Sequence, residues 1–272
     1  MMRTLVINLA RATDRMAFMD AQLRALGLPF ERVEAVTPVT LSPPASDAVW
    51  RRWQRPLRTT EMALCASHMA AWRRVLELNE PCLVLEDDAL LSPDVVAFMA
   101  SVGPLTGVDH ISLETRSRKK LVGRNFAHGL PMRRLYQDRT GSAAYIVFPS
   151  GAAKLLAHTS RVGGPSDAMI SSTYAMRSFQ CDPALSVQLD QAERYGIAPA
   201  LETKSSIDAE RKPLEVGTIA LSEKLGFRVR RISAQVVMGL RHVIFAPFAL
   251  RKPIDFSTAK PSLPTSKEAS SA

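Results

Sequence analysis

A chain of 272 residues with 46% hydrophobic and 22% charged side chains carries enough apolar surface for one large folded domain, so disorder is not its default state. Its three cysteines, Cys65, Cys82 and Cys181, are odd in number and lack Cys-x-x-Cys spacing, which argues against a disulfide framework or a zinc site and suits a reducing cytoplasm. The net charge is +9, and the stretch from Lys204 onward holds 12 basic against 6 acidic residues, a basic C-terminal segment fitted to an anionic partner.

The apolar run from Leu5 to Ala10 is cut short by Arg11, Asp14 and Arg15, so it reads as a first strand, not a signal peptide. A helix follows, capped by Thr13 or Asp14, with Met16, Met19, Leu23 and Leu26 on one face and Gly27 closing it; Phe30 to Val36 then completes a β-α-β start. Asn8, Arg11, Asp14 and Arg15 cluster where the first strand ends, the place at which such sheets bind ligands, and arginines there suit a nucleotide or diphosphate. Capping and solvation of a helix start explain Asp14 and Arg15 equally well.

Residues 41–58 read as a loop with a short helix, whose Trp50 and Trp53 serve either as local packing or as a sugar-stacking surface. A helix then runs from Thr59 or Thr60 to about Leu78, with Glu61 in its first turn and Cys65, Met69, Trp72 and Val75 on its apolar stripe. His68, one turn before Trp72, reads from spacing alone as a hydrogen-bonded core histidine.

Cys82 to Leu85 is a buried strand that delivers Glu86, Asp87 and Asp88 to one edge of the sheet. Three adjacent carboxylates repel one another, and a divalent cation with a phosphate behind it is the natural counter-charge. Asp109 to Glu114 is a further short strand, and Arg116, Arg118, Lys119 and Lys120 open a basic, mobile excursion. Residues 140–149 read as a strand entered through small residues, with a helix after it, and Asp167 stands at a helix start, as a cap or as a catalyst. Leu221 to Leu250 is a basic amphipathic stretch; Arg241, His242 and Pro247 interrupt its apolar run, so it is expected to lie on a membrane and not to cross it.

No Gly-x-x-x-x-Gly-Lys loop, Gly-x-Gly-x-x-Gly fingerprint or Gly-x-Ser-x-Gly elbow occurs. What remains is a strand ending in acids, which can hold Mn²⁺ or Mg²⁺ against a leaving diphosphate. The ordered set Leu5-Val6-Ile7-Asn8-Leu9 with Asp14-Arg15, Glu61 with Ser67-His68 and Trp72, Leu85-Glu86-Asp87-Asp88, Tyr145 with Gly151-Ala152, Asp167, and Ser205-Ser206-Ile207 resembles glycosyltransferase family 25, the lipopolysaccharide-biosynthesis family. Thr60-Glu61-Met62-Ala63-Leu64 departs from that family's usual Gly-Glu-Ile-Gly-Cys by losing both glycines.

The resemblance implies an α/β, GT-A-like (Rossmann-like) mixed and mostly parallel sheet flanked by helices, and a metal-dependent, inverting transfer from a UDP-sugar, most often UDP-galactose, to a lipopolysaccharide or lipid-linked glycan. By position it implies Asp88 and Glu86 as metal ligands, Asn8, Arg11, Arg15, Ser67, Glu86 and Asp87 as donor contacts, and Asp167, Glu61 and His68 as candidates for the base. The catalytic domain is expected over 1–207, a basic helical extension over 208–258 and a disordered tail over 259–272. The expected location is the inner face of the cytoplasmic membrane, held peripherally and without nucleic acid. The competing reading is a non-enzymatic basic protein that binds anionic membrane or nucleic acid.

Overall fold

The computed structural model describes residues 1–139, 141–197 and 220–259. In chain order its N-terminal half contains β1 (Arg3–Asn8), α1 (Thr13–Ala25), β2 (Phe30–Glu34), α2 (Thr59–Leu78), β3 (Cys82–Glu86), β4 (Ala89–Leu91), α3 (Val95–Val102) and β5 (His110–Ser112). Next come β6 (Lys120–Ala127), β7 (Leu130–Gln137), β8 (Ala144–Val147), α4 (Pro149–Thr159), α5 (Ser166–Ser172), β9 (Ser178–Cys181) and β10 (Ser186–Gln188). The last described elements are α6 (Leu221–Phe245) and β11 (Ala249–Lys252).

Nine strands form one mixed sheet in the order β11-β6-β7-β9-β5-β8-β3-β1-β2, and β10 pairs with β4 in a small second sheet. The helical crossovers make β2–β1–β3 parallel, and β5 with β9 is parallel too; the remaining neighbours run antiparallel. One antiparallel pair, β6 with β7, is a hairpin turned by His128 and Gly129, both at positive φ, the backbone that a two-residue hairpin loop demands.

Side-chain alternation along the central strands divides the core between the two faces. Val6, Leu83, Leu85 and Ile146 join α1 and α3, whereas Leu5, Ile7, Val84, Tyr145 and Val147 join α2, α4 and α5. Such near-continuous apolar runs are what strands covered on both faces require. Trp50 belongs to the second of these clusters. A Cβ at Gly163 would come within 2.3 Å of its ring, and one at Gly164 within 2.9 Å of Trp53, so both indoles are engaged in close packing against a glycine pair.

Two regions differ from the reading of the sequence. The basic stretch around 116–120 leads straight into a hairpin, and Lys120 is 2% exposed because its ammonium reaches the carboxylate of Asp138 at 2.7 Å and Gln180 Oε1 at 2.6 Å. The C-terminal segment also returns to the main sheet, with β11 pairing with β6 from Ala249↔Gly123 to Lys252↔Lys120. Ser205, Ser206, Ile207 and the expected tail beyond Ala259 lie outside the described residues.

Candidate active site

Strand register assembles the site. Ile7 pairs with Glu86, which sets the exit of β1 beside the acids that follow β3. On the other side Leu85 pairs with Ala144 of β8, and the Glu86 N–H donates to Ala143 O, so the small residues entering β8 run alongside the same acids.

The three consecutive acids do three different jobs. Asp87 is used up within the protein: Asn8 Nδ2 donates to its Oδ2 at 2.8 Å and Arg15 Nη1 to its Oδ1 at 2.9 Å, although burial still outweighs both and raises its pKa. Glu86 Oε1 accepts from Ser142 Oγ at 2.6 Å and faces His68 Nε2 at 3.2 Å; against the upward push of burial, these partners hold its carboxyl below the usual range. Asp88 is 21% exposed, and its buried Oδ1 has no hydrogen-bond partner among the described residues. Burial, followed by the charges of Glu86 and Asp87, pushes its carboxyl up to about 8.

His68 is fully buried in a chain of hydrogen bonds. Trp72 Nε1 donates to Tyr145 OH at 2.8 Å, that oxygen is 2.9 Å from His68 Nδ1, and His68 Nε2 faces Glu86. Trp72 can only donate, so a Tyr145 proton directed at Nδ1 leaves the Nε2 proton for Glu86. His68 therefore orients Glu86 from the core and has no exposed surface of its own. Ser67 is committed too, since it accepts from Val36 N–H and donates to Ala63 O, tying the end of β2 to α2.

Of the remaining base candidates, Glu61 is held by Arg55 in a two-pronged ion pair at 2.6 and 2.9 Å and accepts the Arg58 N–H as part of a capping box. Burial works against those bonds, yet they keep its carboxyl low, which makes it a poor proton acceptor. Asp167, in the first turn of α5, makes no ion pair among the described residues and accepts there from the neighbouring Ala168 N–H. Burial raises its pKa, with the charge of Glu86 adding to the rise. It lines a narrow pocket of 30 Å³, room for a hydroxyl or a water. Arg11 is exposed and forms no ion pair with the acids.

Five further residues escaped the sequence reading. Glu114 sits at the exit of β5 with Oε2 accepting from Ala143 N–H and Oε1 buried without a partner among the described residues. Burial pushes its carboxyl up to about 7 against the pull of Lys120. Gly141, at φ 121°, carries the chain across that carboxylate where a Cβ would come within 3.3 Å. Ser142 and Ser166 touch at 3.1 Å and join Glu86 to the helix that bears Asp167. Arg32, whose Nε donates to Asn8 Oδ1, lines with Asn8, Thr13 and Phe30 a 330 Å³ cavity between the exit of β1, the first turns of α1 and the body of β2. Single residues of this kind leave no motif; the only sign was the acid ending the fifth strand.

Among the described residues no three acids, histidines or cysteines form a ready-made metal cage. The donors nevertheless suit a hard cation that keeps part of its shell for substrate and water: Asp88 and Glu114 each present an unpartnered buried oxygen, and they repel one another. An arginine-lined strand exit, an open pair of carboxylates and an unpaired aspartate over a small pocket together suit the departure of a diphosphate and the deprotonation of a hydroxyl.

The model of glycosyltransferase family 25 (LPS biosynthesis protein) matches residues 1–170. No curated protein matches the chain. Among solved structures, a glycosyltransferase involved in the glycosylation of the major capsid of PBCV-1 is 11% identical with a TM-score of 0.38, over 69% of this chain and 93% of that one. Since the family model spans well over half of the 272 residues, the chain belongs to glycosyltransferase family 25 and is a sugar-transferring enzyme.

Proposed function

We propose that this glycosyltransferase moves galactose from UDP-galactose to a lipopolysaccharide or lipid-linked glycan, with inversion at the anomeric carbon and with a divalent cation, Mn²⁺ or Mg²⁺. The observation that carries the reading is the division of labour at the acids: Asp87 clamps Asn8 and Arg15, while Asp88 keeps a buried oxygen without a partner. The cavity bordered by Asn8 and Arg32 takes the nucleoside, and Asp88, Glu114 and the free oxygen of Glu86 would hold the cation. Once bound, such an ion offsets the charge that builds up on the leaving diphosphate.

The protein's own groups supply the rest. Asp167 takes the proton of the acceptor hydroxyl as that oxygen bonds to the anomeric carbon. The bond from that carbon to the diphosphate oxygen breaks on the opposite face, and its electron pair leaves with UDP. Ser142 and His68 keep Glu86 ionised and in place throughout. Glu61 anchors Arg55, whose guanidinium feels the charge of Asp167.

The proposed setting of the acceptor is supported by α6. Leu221, Leu225, Val229, Ile232, Val236 and Leu240 recur along one side of it and are all exposed, with exposed Lys224, Arg228 and Arg231 along the flank. Its opposite side is the one that docks, through Phe227, Arg230 to Trp53 O, and Phe245 stacked on Tyr136 at 4.3 Å. No helix among the described residues is long and apolar enough to cross a membrane. An apolar stripe beside a basic one suits a helix lying in an anionic lipid surface, and the acceptor is proposed to be reached there, on the inner face of the cytoplasmic membrane.

The test is UDP release from UDP-galactose with Mn²⁺ and an acceptor. The wild type is expected to turn over and to be stabilised thermally by Mn²⁺, whereas Asp88→Asn loses both responses while remaining folded. Turnover by that variant at the wild-type rate would remove the metal assignment.

A further inference from the structure

A second, larger cavity lies apart from the acids. It is a groove of 470 Å³ between α6 and the outer strands of the sheet, bordered by Arg118, Lys119, Asp138, Arg139, His242 and Arg251. Its charge is one-sided. Asp138 is already committed to Lys120 at 2.7 Å, and its other oxygen accepts the Arg139 N–H. Among the described residues, Arg118, Lys119, Arg139 and Arg251 have no carboxylate within ion-pair distance, whereas Arg15, Arg55, Arg74, Arg116 and Arg133 all do. Four exposed cations drawn together from the loop before β6, the end of β7 and β11 repel one another, and nothing in the packing of the groove needs them.

The groove also leads somewhere. Gln137 and Asp138 border both it and the narrow pocket that Asp167 lines, and α6 borders both, with His242 in the groove and Arg241 in the pocket. Arg241 stacks 4.0 Å over Tyr174 and donates to Tyr136 O, yet its buried Nε has no partner among the described residues. The pocket admits a hydroxyl, and the groove has room for the saccharide that carries it.

We propose that this groove is the acceptor subsite for a phosphate-bearing saccharide: the phosphate is held by Arg118, Lys119, Arg139 and Arg251 while a sugar hydroxyl reaches Asp167. The inference rests on the sugar-transfer reading above and adds the chemical class of the acceptor. Charge-assisted bonds from guanidinium to phosphate are among the stronger contacts a surface can offer, and a free sugar could not use them.

The experiment uses the full-length protein saturated with UDP and Mn²⁺, titrated with glucose 1-phosphate and, separately, with glucose. Glucose 1-phosphate is expected to bind at least about tenfold more tightly, and Arg139→Gln/Arg251→Gln to bring the two sugars to within about twofold, leaving stabilisation by UDP unchanged. Lys119→Gln, in an exposed loop, supplies an independent reading should the double variant fold poorly, and it is expected to weaken glucose 1-phosphate alone. Equal binding of the two sugars by the wild type, or an undiminished preference in the variants, overturns the subsite. Displacement of the sugar phosphate by a single-stranded oligonucleotide at lower concentration, with steep salt dependence, overturns it in favour of nucleic acid. Normal UDP release with no phosphate preference removes only the groove, whereas failure to bind UDP or to release it from UDP-galactose removes the sugar-transfer reading as well.

Discussion

Ser142 Oγ donates to Glu86 Oε1 at 2.6 Å, so the loop entering β8 holds the acid that ends β3. Because Ser142 also meets Ser166, the acidic edge and the helix bearing Asp167 are joined by two hydroxyls. Behind Glu86 the chain of bonds continues through His68 to Tyr145 and Trp72. Tyr145→Phe leaves Trp72 Nε1 and His68 Nδ1 buried without their shared partner, at a cost of about 1–3 kcal/mol per group. Urea unfolding is expected to show that loss, and UDP release to slow as Glu86 loses its orientation. Unchanged stability would mean that the network carries no strain-free hydrogen bonds worth keeping.

Asp167 differs from Glu61 in having, among the described residues, no cation bonded to it, only the more distant charges of Arg116 and Arg55. If it takes the acceptor proton, Asp167→Asn lowers kcat by about 10²- to 10⁴-fold while stabilisation by UDP persists. Since burial raises its pKa, the acid limb of the rate profile should lie above the ordinary aspartate value of about 3.9. Activity then rises with pH through that limb as the carboxylate forms. A limb at the ordinary value would point to another base.

His110 lies buried against Tyr145, with both ring nitrogens unpartnered and its pKa pushed down to about 3 by burial and then by Lys120. The unfolded ring protonates near pH 6.5, so between these values the unfolded chain binds the extra proton and stability falls as pH falls. The full contribution is present above about pH 6.5 and is lost on the way down to about 3. Urea midpoints measured from pH 7 to pH 4 should therefore drop less steeply for His110→Phe than for the wild type; parallel slopes would count against this origin of acid sensitivity.

The outward face of α6 is tested with vesicles. Binding to anionic vesicles is expected, weakened by salt through its basic flank, and Ile232→Glu should reduce it by about tenfold or more, since burying an isoleucine is worth about 1.5–3 kcal/mol. Equal binding by the variant, or equal binding to neutral vesicles, would detach the helix from the membrane reading.

Much was legible locally. The helices 13–25 and 59–78 and the strands at 3–8 and 82–86 stand close to where apolar spacing puts them, because each buries a continuous face or run. The hairpin β6–β7 was hidden: Lys120, Arg124, Arg133 and Arg134 break the apolar alternation, and each finds its partner far along the chain, as Arg133 does in Asp182. A sequence read in short windows counts such residues as solvated charge.

The same contrast governs the acids. Residues 86–88 by themselves determine that three carboxylates leave one buried strand and demand positive charge, which is a matter of adjacency. Which acid meets that demand was decided only when β1 and β8 packed on either side of β3. Asn8 and Arg15 then consume Asp87, Ser142 and His68 steady Glu86, and Glu114 arrives from β5 to face Asp88. Those roles depend on desolvation and on partners dozens of residues away, and neither quantity exists until the sheet has formed.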